Sequence, residues 1–409
     1  MSETATIQDP VENAPAGEDF YRPPVPLPEG EPGDVIHVRR LDNITAELTS
    51  GENWLVLYRS QDVRGAAVAT SGIIALPDRE RHPVPPGGYP LISWAHGTVG
   101  IANLAAPSRD WGDTGASAMN VRPNGLLNSF LERGWAVAMT DYEALGTGTQ
   151  EHLHPYLHGH SQANGVLDIV LTARRLFAGA IGESFAVVGH SQGGQAALFA
   201  AHHAHGRIDG LVGVAAIAPA NHPLGLVRAG AVVPATGDGF AFTPLFLAGA
   251  IGGDPSIDPA QVLSDLAYRY WPQARHRSRA ALSREDSWGG IDGTDQFRGA
   301  YPLLPNAHQQ RFDQQLARMN PDLEIRVPVR ISQAADDERV RAAPAPLLGT
   351  DDLVQELDAR NEPHGIQVEY ERYDEGKVPS DGPLGVHFAT IDHDAEALAD
   401  WVHARFTAA

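Results

Sequence analysis

Apolar positions in this chain fall in short dense runs separated by helical patterns, and the runs set the first expectations. Val35 to Leu41, Trp54 to Ser60 and Ala66 to Leu76 read as β-strands; YPLISWAHG (89–97) is almost wholly apolar, as a strand buried on both faces would be. A helix-like stretch from Leu126 to Glu132 is stopped by Gly134, and Trp135 to Thr140 is again a buried-strand run. After Ser161, apolar residues at 166, 169, 170, 173, 176 and 177 keep helical spacing. Ser184 to Gly189 predicts a strand, Gln195 to His205 a helix closed by Gly206, and Leu211 to Ile217 another strand.

From about 222 to 322 this alternation stops, giving way to scattered helical patches, many glycines and prolines, and aromatics that include Phe240, Phe242, Phe246, Trp271 and Trp288. It resumes with a strand at Ile325 to Ile331, a helix near Asp352 to Arg360, a strand at Ile366 to Tyr373 and a last helix from roughly Asp392 to Phe406. Strands alternating with helices predict an α/β fold with a mostly parallel sheet covered on both faces. The expected organisation is an extended arm rich in Pro, Gly and acids (1–33), a first core part (34–221), an inserted, mainly helical cap (222–322) and a second core part (323–409). The cap aromatics either line a channel or form the cap's own core.

Composition narrows the function. With 409 residues, 43% of them hydrophobic, the chain can bury a large core. A formal net charge of −21 repels nucleic acid and anionic membrane surfaces. The absence of cysteine excludes disulfides, thiol chemistry and Cys-based metal sites. The N-terminus as given has neither the basic nor the apolar segment of a secretory signal, so the expected location is cytoplasmic, with secretion the alternative if a longer precursor was trimmed. The longest apolar stretch, roughly Phe240 to Ile251, is too short for a membrane helix.

The tetrapeptide GHSQ occurs twice, at 159–162 and 189–192. A nucleophilic serine needs its hydroxyl held clear of the backbone on a sharp strand-to-helix turn, with small residues on either side. Ser191 has this context: the strand SFAVVG before it, the helix QAALFAAHHAHG after it, and Gly189 and Gly193 completing G-x-S-x-G. Ser161 follows no buried strand and has Ala163 where the second glycine belongs; its expected role is helix N-cap.

Partners for Ser191 should lie at the carboxyl ends of later strands. The loop after Ile331 offers Asp337, three residues before Val340, with Asp336 as the alternative. GVHFATIDHD offers His387, expected on a loop before the last helix, and His393, expected in that helix's first turn and so less free to reach inward. The order Ser191, Asp337, His387 is that of α/β hydrolases. In such a triad His387 is general base and then general acid, and Asp337 fixes its tautomer. The oxyanion hole should use the N–H of Gln192 and one from Gly97 or Thr98 in WAHGTVG. His96, His190, Asp141 and Tyr142 are candidates to shape the pocket, although Asp141 and Tyr142 could equally pack the Gly146-Thr147-Gly148 turn. His152, His154, His158 and His160 are numerous enough to suggest a metal site, but the expectation is a place at the pocket rim and no metal. His202, His203 and His205 suit a helix C-terminus. No cofactor is expected.

Together SWAHGTVG, TDYEALGT with HPYLHG, VVGHSQGGQAAL, FYRPP near the start and the D-x-x-V of Asp337 to Val340 resemble the secretory lipase family of α/β hydrolases, the Candida antarctica lipase A-like serine esterases and lipases. The resemblance runs from about residue 18 to near the end. It implies a Ser191, Asp337, His387 triad, a large helical cap before the acid-bearing strand, and hydrolysis of small-molecule carboxylic esters, some relatives acting on long-chain lipids. The chain departs from the family in having no cysteine pair and no secretory signal. The leading function is therefore a serine esterase or lipase. A peptidase or acyltransferase on the same triad, and a catalytically silent ligand-binding hydrolase-fold protein, are the alternatives.

Overall fold

Nine strands among the described residues form one sheet in this computed structural model, which describes residues 9–112, 116–148, 152–342, 347–380 and 382–408. They are β1 (Val35–Arg40), β2 (Gly51–Gln61), β3 (Ala67–Pro77), β4 (Tyr89–Ala95), β5 (Ala136–Thr140), β6 (Ile181–His190), β7 (Leu211–Ile217), β8 (Val329–Ala334) and β9 (Val368–Tyr373), in the order β1-β2-β3-β5-β4-β6-β7-β8-β9. The first three strands pair antiparallel with their neighbours, and every pairing from β5 across to β9 is parallel. The uninterrupted apolar runs became the central strands β4, β5 and β6 because both faces there are covered.

One face packs against α2 (Gly159–Leu176), α3 (Gln192–Ala204) and α7 (Thr350–Asn361); the other packs against α1 (Asn124–Glu132) and α8 (Gly385–Ala408). Between β7 and β8 the chain leaves the sheet and builds α4 (Pro223–Gly230), α5 (Thr243–Gly253) and α6 (Ala307–Arg318) around a separate apolar cluster that includes Trp271, Trp288 and Phe312. None of the described helices is long and apolar enough to cross a membrane.

Three local expectations give way. The strand expected from Ile325 begins at Val329, because Pro328 has no N–H for a ladder; its carbonyl still accepts from Val214 N–H at 3.0 Å. The N-terminal arm, whose first eight residues lie outside the described residues, is docked: Phe20 and Tyr21 are buried, and the Tyr21 hydroxyl donates to the Ser108 carbonyl at 2.8 Å. The last helix starts at Gly385 rather than near Asp392, so His387 sits in its first turn and not on a loop. The cause is a cap from another element: the Glu338 carboxylate accepts from the N–H groups of Val386 (3.0 Å) and His387 (3.3 Å), satisfying donors a helix start leaves unpaired.

Candidate active site

Ser191 stands between β6 and α3 with φ 58° and ψ −118°, a conformation that costs a non-glycine residue ~1–3 kcal/mol and that only a well-determined surrounding sustains. The surrounding is tight. A Cβ on Gly193 would lie 1.8 Å from the Ala95 carbonyl oxygen, and one on Gly189 would lie 2.1 Å from that of Gly193. The backbone is tied on both sides, with Ser191 N–H donating to the Ile217 carbonyl (2.9 Å) and its carbonyl accepting from Gln195 (3.1 Å) and Ala220 (3.0 Å).

The Asp337 carboxylate lies 2.7 Å from His387 Nδ1, and both side chains are almost wholly buried. Its other oxygen accepts from the N–H groups of Arg339 (2.8 Å) and Val340 (2.9 Å), which gives the D-x-x-V spacing a physical reason. Asp336 is turned elsewhere, accepting from Gly376 N–H at 3.0 Å, and His393 packs its ring edge-on to Tyr373. Ser191 and His387 face the same cavity of about 1020 Å³, whose apolar wall includes Leu157, Leu224, Phe242, Phe246, Leu316 and Phe388. Phe242 and Phe246 thus line the cavity, while Trp271 and Trp288 fill the cap's own core.

Thr98 also lines this cavity, and Gly97 lies against the serine: a Cβ built on it would be 3.6 Å from Ser191 Cβ and 3.1 Å from His190 Nδ1. Gln192 opens α3, where its backbone N–H belongs to the unpaired donors of a helix start.

The four pocket candidates have other places. His96, His190, Asp141 and Tyr142 are buried, and none lines the large cavity. His190 Nε2–H donates to the His387 carbonyl (3.1 Å), and burial pushes its imidazole well below the usual range, keeping it neutral. Asp141 accepts from Ser71 Oγ (2.6 Å) and Ser108 N–H (3.0 Å); burial raises its carboxyl. Burial also lowers His96 to about 4, and its Nδ1–H donates to the Gly97 carbonyl at 2.7 Å.

Ser161 is not an N-cap. It lies inside α2, which His158 precedes, and its hydroxyl donates to the buried Glu143 carboxylate. The histidines expected at the pocket rim do not reach it. His152 pairs with Glu143 at 2.7 Å, a contact that raises its pKa, whereas His154, pushed to about 3 by burial, donates Nδ1–H to the Glu143 carbonyl (2.9 Å). His160 stacks on His203, and His202 donates to the Glu324 carbonyl. No group of three or more His, Cys, Asp or Glu among the described residues is arranged to hold a metal ion.

Two features were missed by local reading. The side-chain amides of Gln162, Gln192 and Gln195 form one buried chain, with Gln192 Nε2–H donating to Gln162 Oε1 (2.7 Å) and to His154 Nε2 (2.9 Å). In the cavity wall Arg279 binds both carboxylate oxygens of Asp238 at 2.8 Å, and although burial opposes it, this holds the Asp238 carboxyl down at about 2. The duplicated GHSQ was the available signal for the first; the second joins residues 41 apart in the chain, with α5 between them, and has no local signal.

The chain is an α/β hydrolase by fold. No protein-family model and no curated protein matches it. Among solved structures it is similar to the rice cell wall degrading esterase LipA from Xanthomonas oryzae, in a ligand-bound form, with a TM-score of 0.69, 21% identity, and coverage of 91% of this chain and 98% of that one. It is also similar to Candida antarctica lipase A (TM-score 0.63, 17% identity, 84% and 77% covered) and to a putative hydrolase from Legionella pneumophila (0.64, 15%, 90% and 97%). The lipase A likeness agrees with the family resemblance of the motifs, and at these identities what is shared is the fold.

Proposed function

We propose that this protein is a serine carboxylic-ester hydrolase in which Ser191 is the nucleophile, His387 the general base and acid, and Asp337 the group that orients the imidazole. One observation carries the reading: an Asp337–His387 pair at 2.7 Å opens onto the same large, mostly apolar cavity as a serine held at φ 58° between a strand and a helix. The esterase and lipase activities named for the structural neighbours agree with it.

In this mechanism Ser191 Oγ bonds to the ester carbonyl carbon as its proton passes to His387 Nε2, while the Asp337 carboxylate stabilises the imidazolium. The carbonyl oxygen becomes an oxyanion bound by the N–H of Gln192 and that of Thr98 or Gly97. Collapse breaks the carbon–oxygen bond to the alcohol, which leaves with the proton from His387. Water, giving a proton to His387, then bonds to the acyl carbon; the bond from that carbon to Ser191 Oγ breaks as His387 returns the proton to Oγ, releasing the carboxylic acid and free Ser191. The cavity's apolar wall suits the hydrocarbon part of an acyl or alcohol group.

The test is hydrolysis of p-nitrophenyl esters from acetate to palmitate by wild type, Ser191→Ala and Ser161→Ala, with fluorophosphonate labelling in parallel. Loss of both activity and labelling in Ser191→Ala alone supports the reading; wild-type turnover by Ser191→Ala overturns it.

A further inference from the structure

Tyr142 is a residue the triad chemistry does not use, yet it touches one wall of the expected oxyanion hole directly, at His96, and reaches the other, at Gln192, through His154. It follows β5 with a backbone φ of 68°, unusual for a bulky side chain, and is fully buried. Thr140 Oγ1 accepts its N–H at 3.0 Å. Its hydroxyl donates to the His96 carbonyl at 2.9 Å. Its ring lies 4.4 Å from that of His96 on one side and stacks on that of His154, at 5.7 Å and 16°, on the other. His154 in turn accepts from the side chain of Gln192.

The consequence follows from peptide geometry. Among the described residues the only cis bonds are Val25-Pro26 and Tyr301-Pro302, so the His96-Gly97 and Gly97-Thr98 peptides are trans. In a trans peptide the C=O and N–H point in opposite directions. Tyr142 holds the His96 carbonyl, which turns the Gly97 N–H away from Tyr142. His96 Nδ1–H holds the Gly97 carbonyl at 2.7 Å, which turns the Thr98 N–H away from His96. Without these clamps, a rotation of either peptide would replace an N–H donor by a carbonyl oxygen, which repels the developing oxyanion instead of stabilising it.

We propose that Tyr142 is a positioning residue of the oxyanion hole: its hydroxyl fixes the His96-Gly97 peptide, and its ring fixes His96 on one side and, through His154, the Gln192 segment on the other. The inference rests on the ester-hydrolase reading above. It assigns to Tyr142 an effect on transition-state stabilisation with little effect on substrate binding.

The experiment compares wild type, Tyr142→Phe and Tyr142→4-fluorophenylalanine, the last of which fills the volume of the hydroxyl but cannot donate, so that the test survives if the phenylalanine variant fails to fold. Tyr142→4-aminophenylalanine, which keeps a donor at that position, is the rescue, and Ser191→Ala is the control. Turnover of p-nitrophenyl butyrate and inhibition by phenylboronic acid, a tetrahedral mimic, are measured against the folded fraction from circular dichroism. The expected result is a kcat lowered by about 10- to 100-fold with KM changed less than about twofold, phenylboronate inhibition weakened in step, and recovery in the 4-amino variant. If the non-donating variants keep wild-type kcat while Ser191→Ala is dead, the positioning role is wrong and the triad stands. If they lose activity only in proportion to folded protein, or lose it through KM, the role is again wrong. An active Ser191→Ala sinks the ester-hydrolase reading and this proposal with it.

Discussion

The side-chain amides of Gln162 and Gln192 are hydrogen-bonded at 2.7 Å, so the two copies of GHSQ meet in space through their last residues. Each copy lies at the start of a helix on the same face of the sheet, and the two helices pack side by side. Only the second copy places its serine outside the helix, at positive φ; the first places its serine inside, against Glu143. Gln162→Ala removes one buried hydrogen bond from each of Gln192, which keeps His154, and Gln195, whose side-chain oxygen loses its donor, and should cost about 1–3 kcal/mol in urea unfolding, more than a neutral surface substitution.

The two adjacent aspartates should behave very differently. Asp337→Asn removes the carboxylate that faces His387 and should lower kcat by about 10⁴-fold, as expected when the imidazole is held in the wrong tautomer. Asp336→Asn, whose partner is Gly376 N–H, should stay within a few-fold of wild type. Comparable losses in the two variants would remove Asp337 from the mechanism.

Gly193→Ala should prevent correct folding of the serine turn. The added methyl would sit 1.8 Å from the Ala95 carbonyl oxygen, a collision with backbone that no rotamer can relieve. We expect a loss of at least ~3 kcal/mol in stability, together with loss of fluorophosphonate labelling.

Stability should fall with acidification before the carboxylates titrate. Burial lowers His96 to about 4 and His154 to about 3, whereas in the unfolded chain both protonate near 6.5. Below that value the unfolded state therefore binds more protons, and stability declines by up to ~1.4 kcal/mol per pH unit for each histidine until the folded pKa is reached. His154→Gln should flatten the slope of unfolding free energy between pH 6 and 4.5. An unchanged slope would mean that His154 is not held neutral.

Breaking the buried pair of Arg330 and Asp394, bidentate at 2.6 Å and joined by the Tyr373 hydroxyl, should be costly. Arg330→Met leaves a buried carboxylate without its cation, and a loss of ~3–5 kcal/mol in thermal or denaturant unfolding is expected.

The sheet and the serine turn were legible because their signals are local. An apolar run such as 89–95 specifies a doubly covered strand, and Gly189, Ser191 and Gly193 specify a crowded turn through their sizes alone. Asp337 was partly legible, since its D-x-x-V spacing reflects a real hydrogen bond to Val340. The start of the last helix was not, because Glu338 caps it from nearly fifty residues away. Tyr142, which the sequence left equally open to a pocket role or to packing the Gly146 turn, was not placed for a related reason. The carboxyl edge of a sheet includes residues that face the cavity and residues that lie beneath it, and only the partners across the chain, here His96 and His154, tell them apart.

The position of His387 in the final helix also bears on synthesis at the ribosome, where the N-terminal parts of a chain fold first. The nine strands among the described residues, the cap and Ser191 all precede His387 in the chain and so are synthesised before it. A chain that stops after Tyr373 therefore carries every strand of the sheet but lacks the imidazole of the proposed base, and under that proposal it should not turn over esters until the segment bearing His387 has been made and has docked.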